Sequence, residues 1–455
     1  MIQTIRNAWA VPELRKKMLF TVFALLIFRL GSAIPVPYID SATLEQHLQT
    51  QSGTILGLMN AMSGSAFSMA TIFALSIQPY INSSIIIQLL TVAIPALERL
   101  AKDGGEEGRK KIQSITRYTT VGIAILQAVG YYFMMRNYNL LASDATGIWP
   151  ALVIVVSFIA GSSFVMWMGE QVTEFGIGNG ISIILFAGIV SRFPRMISDC
   201  VSGVTVWSAV KNGTMSEETL TAAGYSATQA QAQLSLALAP WMIPVIVIGM
   251  LALVVFIVFI SNAERRLPVQ YAKRVVGRKM YGGQSTHIPM KVNMSGVMPI
   301  IFAQSIAALP ATIGAFAGWT TQNSVLMRLF DTSKPFYSIL YFLLIVGFSY
   351  FYATMQFNPV EVSNNLKKNG GFIPGFRPGK PTADFITKVL NKITMFGALY
   401  LSVVAIAPII TGNIFGYHSL AIGGTSVIIV VGVALETVKQ MEAQMLMRHY
   451  KGFLE

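Results

Sequence analysis

Charge is what this sequence has little of. Only 12% of its 455 residues are Asp, Glu, Lys or Arg, against ~25% in an ordinary soluble domain. A soluble chain of this length needs far more charge to cover its surface, so soluble globular, disordered and collagen-like readings are excluded. Cys200 is alone, which excludes an intrachain disulfide and a thiolate metal cluster. His47, His287, His418 and His449 show no metal-ligand spacing. No phosphate loop occurs, because Gly379-Lys380 lacks the earlier glycine and is followed by Pro381. The glycines of GIGNG (176–180) lack dinucleotide spacing. There is no HExxH, Ser/His/Asp or Cys/His set. The expectation is a non-enzyme without metal or cofactor.

What is present is apolar. The chain is 53% hydrophobic, with a mean hydropathy of +0.58. Runs near the length that crosses a ~30 Å hydrocarbon core fall at about 18–36, 72–94, 116–135, 149–168, 176–193, 240–260, 295–317, 335–356, 387–410 and 419–438. The fifth is the weakest, opened by Gly176, Gly178 and Gly180 and closed by Arg192 and Pro194. Although Arg15, Lys16 and Lys17 precede the first run as in a signal peptide, nine further runs favour an uncleaved helix. The fold class read from this is an all-α polytopic membrane protein with ten spans.

Of the 33 Lys and Arg, 26 fall on the side of the N-terminus when the loops alternate, 6 fall opposite, and Arg29 lies within the first span. This bias sets that side, and both termini, in the cytoplasm. Ten spans divide into five and five, and an odd number inverts the second half, an arrangement common in transport proteins. The implied units are an N-terminal half (1–193), a long polar outer loop (194–239), a C-terminal half (240–438) and a cytoplasmic tail (439–455).

Residues 53–70 carry no charge and are too short and too rich in Gly and Ser to span. A short re-entrant helix folded into the protein and a helix lying flat on the outer surface are both open. In the inner loop 262–294, the edges RLPVQYA (266–272) and STHIPMKV (285–292) alternate in part and Gly282-Gly283 offers a turn, which predicts a small β-hairpin. The inner loop 357–386 sets Lys367, Lys368, Arg377 and Lys380 in a frame of glycine and proline that predicts a fixed tip.

Apart from Arg29, the spans hold no ionisable group away from their ends. Ion-coupled transporters keep such groups near the midplane, so a small-solute secondary transporter is the alternative class, not the first. IQPYINSSIIIQLL (77–90) and GNGISIILFAGIV (178–190) mix aliphatic with small polar residues. The pattern is compatible with ordinary helix packing or with a hydrophobic constriction in a polar conduit.

These stretches resemble the SecY family of protein-conducting channels. The likeness runs through nearly the whole chain, in IFALSIQPYINSSIIIQLL (72–90), DGGEEGRKKI (103–112), GNGISIILFAGIV, VQYAKR (269–274), STHIPMKVNMSGVMPIIFA (285–303) and GGFIPGFRPGKPT (370–382). The resemblance implies a channel between two inverted halves that moves unfolded secretory polypeptides and releases apolar segments sideways into lipid. It implies a constriction of Ile77, Ile81, Ile181, Leu185, Ile301 and Ile429, with Leu185 departing from an all-isoleucine ring but keeping its volume. Segment 53–70 becomes a plug, with Met69 where many relatives carry a polar or charged residue. Gln88, Thr120 and Asn293 are candidates for a polar latch on the lateral gate, with plain packing as the other reading. With no nucleotide site of its own, the chain is expected to borrow its driving force from a SecA ATPase or a ribosome docked through Arg278, Lys279 and Arg377. SecE and SecG small subunits, and a bacterial inner-membrane location, are implied likewise.

Overall fold

Prolines punctuate this chain at helix starts. Pro12, Pro79, Pro194, Pro335 and Pro359 each stand in the first turn of a helix, where a missing N–H costs nothing and the fixed φ favours helix. The computed structural model describes residues 2–41, 43–44, 63, 66–102, 104–142, 147–212, 215–216, 239–271, 274–276, 279–281, 285–316, 325–331, 334–415 and 418–451.

The helices are α1 (Ile2–Ala10), α2 (Pro12–Gly31), α3 (Gln78–Ala93), α4 (Pro95–Lys102), α5 (Gly105–Asn137), α6 (Ile148–Phe175), α7 (Gly180–Val190), α8 (Phe193–Lys211), α9 (Met242–Asn262), α10 (Met298–Phe316), α11 (Val325–Leu329), α12 (Pro335–Gln356), α13 (Pro359–Lys368), α14 (Lys380–Phe415) and α15 (His418–Lys451). Each of the apolar runs overlaps one of them. Five described helices are long and apolar enough to cross a membrane alone, and α3 with α4, bent by 105°, makes a sixth. The bend falls at Ile94, which takes an extended conformation before Pro95, as a residue preceding proline prefers. Helix α7, at 11 residues, and α10 are shorter apolar helices.

Three elements differ from the sequence reading. The first helix ends at Gly31 and not at 36, because Ser32 Oγ donates back to the Phe28 carbonyl and Pro35 and Pro37 follow. Arg29 therefore stands in the last turn of α2, where a cation complements the helix dipole. The second run begins with turns at 72–77 and becomes helical at Gln78. The polar loop expected from 194 opens instead as helix α8, with Pro194 starting a helix where it seemed to end one. Phe193, Ile197, Val201 and Val204 recur there at helical spacing.

The two basic inner loops fold together. Strands β1 (Glu264–Tyr271) and β4 (Ser285–Lys291) pair antiparallel from Glu264↔Lys291 to Gln270↔Ser285. Strand β5 (Gly371–Phe372) adds to the free edge of β1. Between β1 and β4 in the chain, β2 (Arg274–Val276) pairs with β3 (Lys279–Tyr281), and Val276 opposes Lys279. Gly282-Gly283, where the turn is expected, lie outside the described residues. Leu267, Val269 and Met290 from the sheet bury against Leu366, Ile373, Ile386 and Leu390. This small second core is what fixes both loops.

A larger apolar core runs through α2, α3, α5, α6, α7, α9, α10, α12, α14 and α15. A third cluster joins the ends of the chain: Ala8 and Leu14 pack with Ile177 and Met441, and Thr4 Oγ1 donates to Glu442 at 3.2 Å.

Candidate functional site

The six aliphatic positions come from four separate stretches. Ile77 immediately precedes α3 and its carbonyl accepts from the Ile81 amide at 3.1 Å, so the two side chains stand one turn apart. Ile181 and Leu185 are likewise one turn apart on α7. Ile301 lies in the first turn of α10, and Ile429 lies within α15. All six belong to one continuous apolar cluster, with five buried and Ile181 half-buried against them.

Glycine sets how closely the elements meet. A Cβ built on Gly169 of α6 would stand 3.4 Å from Ile77 Cδ1 and Ile184 Cδ1 and 3.6 Å from Ile181 Cγ1. Gly169 therefore backs the point where α3 and α7 bring their aliphatic residues together. At Gly180, the first residue of α7, a Cβ would fall 2.0 Å from the Gly169 carbonyl oxygen. Only glycine permits that approach. The crossing is stitched by Thr173, whose Oγ1 donates to Gly169 O and accepts from Gly180 N, both at 2.9 Å. Asn179 caps α7, its Oδ1 accepting from the Ile181 and Ser182 amides at 3.1 and 3.4 Å, which satisfies otherwise orphaned N–H groups.

In the expected plug, residues 53–62 and 64–65 lie outside the described residues. The remainder forms turns and is mostly buried within the protein. Ser63, Ala66, Phe67, Ser68 and Ala70 are buried, while Met69 is 42% exposed. Tyr131 of α5 donates its hydroxyl to the Phe67 carbonyl at 2.7 Å and lays its ring 4.5 Å from that of Phe67. The Val36 and Ile72 amides bond to Ala70 O and Ile34 O, tying the segment's end to the stretch after α2. Gly161 of α6 lies so close to the Ile72 carbonyl that a Cβ would come within 2.0 Å of it.

The three latch candidates do not form one hydrogen-bonded group among the described residues. Thr120 is buried and donates to the Thr116 carbonyl of its own helix at 2.7 Å. Asn293 lines a small cavity with Ser349, Thr394 and Gly397. Gln88 accepts a hydrogen bond from Tyr352 of α12, a residue the sequence did not single out. Its place in the aromatic run Tyr350-Phe351-Tyr352 gives no sign of which ring faces α3.

Of the docking candidates, Arg278 lies outside the described residues together with its neighbour Gly277. Lys279 opens β3. Arg377 is exposed beyond β5, and its carbonyl accepts from Thr382 Oγ1 at 2.8 Å. Ser363 Oγ donates to Gly379 O at 2.7 Å, so hydrogen bonds brace both flanks of the Gly/Pro tip. Phe376 stacks on Phe385 with centroids 4.1 Å apart.

Comparison with known proteins gives the family and the fold. The SecY family model matches residues 71–438. The chain is 42% identical to the protein translocase subunit SecY of Streptomyces galbus and 40% identical to that of Bacillus subtilis, each covering 100% of both chains. Among solved structures it is similar to a protein-conducting channel at a TM-score of 0.61 and 17% identity, over 95% of this chain and 92% of the other. A second likeness, to Sec61 in a canine ribosome-channel complex from the endoplasmic reticulum, has a TM-score of 0.58 and 16% identity over 95% and 92% of the two chains. With a family model matched across most of its length and relatives 40–42% identical over the whole chain, the chain belongs to the SecY family.

Proposed function

We propose that this chain is the pore subunit of a protein-conducting channel, through which unfolded secretory polypeptides cross the membrane between its two halves. The observations that carry the reading are that Ile77, Ile81, Leu185, Ile301 and Ile429 are all buried in the large apolar core with Ile181 packed against it, and that Ile77 and Ile181 meet at Gly169. Aliphatic side chains offer a passing backbone no strong hydrogen bond, so an extended chain slides without sticking. At rest the same side chains exclude water and ions by dewetting. The buried part of 63–70 acts as the plug on this constriction. Apolar segments of ~20 residues leave sideways, past α3 and α5 on one side and α10 and α12 on the other.

The halves 1–193 and 240–438 are the two leaves of this channel, and 439–455 is a cytoplasmic tail. The bias of basic residues supports cytoplasmic termini in a bacterial inner membrane. Work is supplied from outside, by a SecA ATPase or a ribosome seated on the lobe built from the two basic loops. Arg278, Lys279 and Arg377 make the contact, since cationic side chains bind phosphate and carboxylate alike. A SecE subunit clamps the halves and SecG accompanies them.

Reconstitution tests this. Proteoliposomes containing the chain, its small subunits and a SecA ATPase should render a secretory precursor protease-resistant in an ATP-dependent manner. Failure to protect any precursor, together with saturable uptake of a small solute, would reverse the conclusion.

A further inference from the structure

Strand β4 ends at Lys291 and helix α10 begins at Met298, so residues 292–297 join the lobe of the two basic loops to the C-terminal half. Asn293 and Ser295 of this joint line a cavity with Ser349 of α12 and Thr394 and Gly397 of α14. The cavity leaves about 10 Å³ for the centre of a water molecule, close to the least that holds one. Glycine at 397 lets α14 approach the joint, since a Cβ there would stand 2.6 Å from the Val292 carbonyl oxygen. Thr394 is 6% exposed, and its hydroxyl has no hydrogen-bond partner among the described residues. The other four hydroxyl side chains of α14 behave differently. Thr382, Thr387, Ser402 and Thr411 each donate to a backbone carbonyl at 2.8–3.0 Å. Beside Thr394, Ser295 Oγ donates to Ser349 O at 3.2 Å and Ser349 Oγ donates to Ile345 O at 2.7 Å. Both serine protons are thus committed, while their oxygens keep lone pairs that can accept.

We propose that this cavity is a binding site for one structural water, which fastens the joint to α12 and α14. A buried hydroxyl is costly when it has no partner, and ordered water is the usual means of satisfying one. The water accepts the Thr394 proton and donates to oxygens of the neighbouring polar residues, which gives it the two to four partners that a buried water needs. No carboxylate lines the site, so a divalent cation lacks the charged oxygen ligands that hold one. Three segments far apart in the chain meet through this one molecule: the root of the lobe, the middle of α12 and the middle of α14. The site lies apart from the aliphatic six, and the inference does not depend on what passes between the halves.

The test uses the full chain in detergent, as wild type and as Thr394→Val. Valine keeps the β-branched shape and removes only the hydroxyl. The direction of the melting shift separates a wet site from a dry one. If water is bound, the substitution breaks its bond to position 394 and the variant melts earlier. If the cavity is dry, the substitution removes an orphaned buried hydroxyl and the variant melts later. X-ray radiolysis, with bulk radicals quenched by a scavenger, reads the water itself, because it oxidises side chains beside bound water. Met294 lines the cavity, and Met290, 0% exposed in the core under the sheet, serves as the dry control. Oxidation of Met294 should exceed that of Met290 several-fold in wild type and fall several-fold in Thr394→Val, with Met290 unchanged. A variant that melts at or above wild type, or Met294 oxidation that the substitution leaves unaltered, would overturn the site.

Discussion

Helices α6 and α7 cross at two glycines with unequal room around them, and alanine should treat them oppositely. At Gly180 a new Cβ lands 2.0 Å from Gly169 O and 2.9 Å from Val172 Cβ. The first of these is about 1.4 Å short of ordinary contact, and its partner is backbone, which cannot rotate away. Helix α7 must retreat, and retreat also stretches the bond from Gly180 N to Thr173 Oγ1. Overpacking of this kind costs ~1–3 kcal/mol, with ~1 kcal/mol more for the weakened hydrogen bond. Because α7 carries Ile181 and Leu185, the same displacement opens the aliphatic seal. Gly169→Ala places its methyl at 3.4 Å from Ile77 and Ile184, where it fits, and exchanging a helical glycine for alanine contributes ~0.5–1 kcal/mol of stability. Thermal unfolding in detergent and anion efflux from proteoliposomes read the two effects. Gly180→Ala should melt earlier and leak, while Gly169→Ala should melt at or above wild type and stay tight. Equal behaviour of the two variants would refute the assigned crossing.

Other perturbations follow from single contacts. Tyr131→Phe leaves the buried Phe67 carbonyl without its 2.7 Å donor, a loss of ~1–3 kcal/mol. It should raise resting ion conductance in planar bilayers without changing expression; an unaltered conductance would count against a plug held by Tyr131. Asn179→Ala removes the α7 cap and should lower stability by ~1 kcal/mol, with Asn179→Asp recovering most of it in the same melt. Arg377→Glu reverses an exposed charge on the braced tip and should abolish motor- or ribosome-driven transport while membrane insertion persists; wild-type transport would remove Arg377 from the docking surface.

The sequence was most legible where the bilayer imposes its own arithmetic. The apolar runs coincide with helices because length and hydropathy decide spanning almost alone. The β1–β4 pairing was readable because Leu267 and Val269 alternate with exposed neighbours. That β5 would join the same sheet was not, since two residues far along the chain carry no periodicity. Helix α8 is hidden in the sequence because Pro194 reads as a terminator, although its missing N–H is harmless in a first turn. Arg29 looked embedded because hydropathy runs on past Gly31 to Val36, whereas the backbone is turned by Ser32 and the two following prolines. At the candidate site, the resemblance supplied the aliphatic six, but the side-chain partnerships needed coordinates. Asn293 and Gln88 look equivalent as polar residues in apolar surroundings, yet one lines a cavity against α14 and the other meets Tyr352.

The central claim is that a polypeptide passes through the cluster of six. A photo-crosslinking side chain at Ile81, buried in the apolar core at the proposed constriction, is compared with one at Val403 on α14, which is 59% exposed. A secretory precursor is arrested midway in intact membranes before illumination. A strong adduct between position 81 and the precursor, absent at 403, is the predicted result. Lipid or intramolecular adducts alone at position 81, with arrest verified, would contradict the path and reopen the small-solute transporter reading.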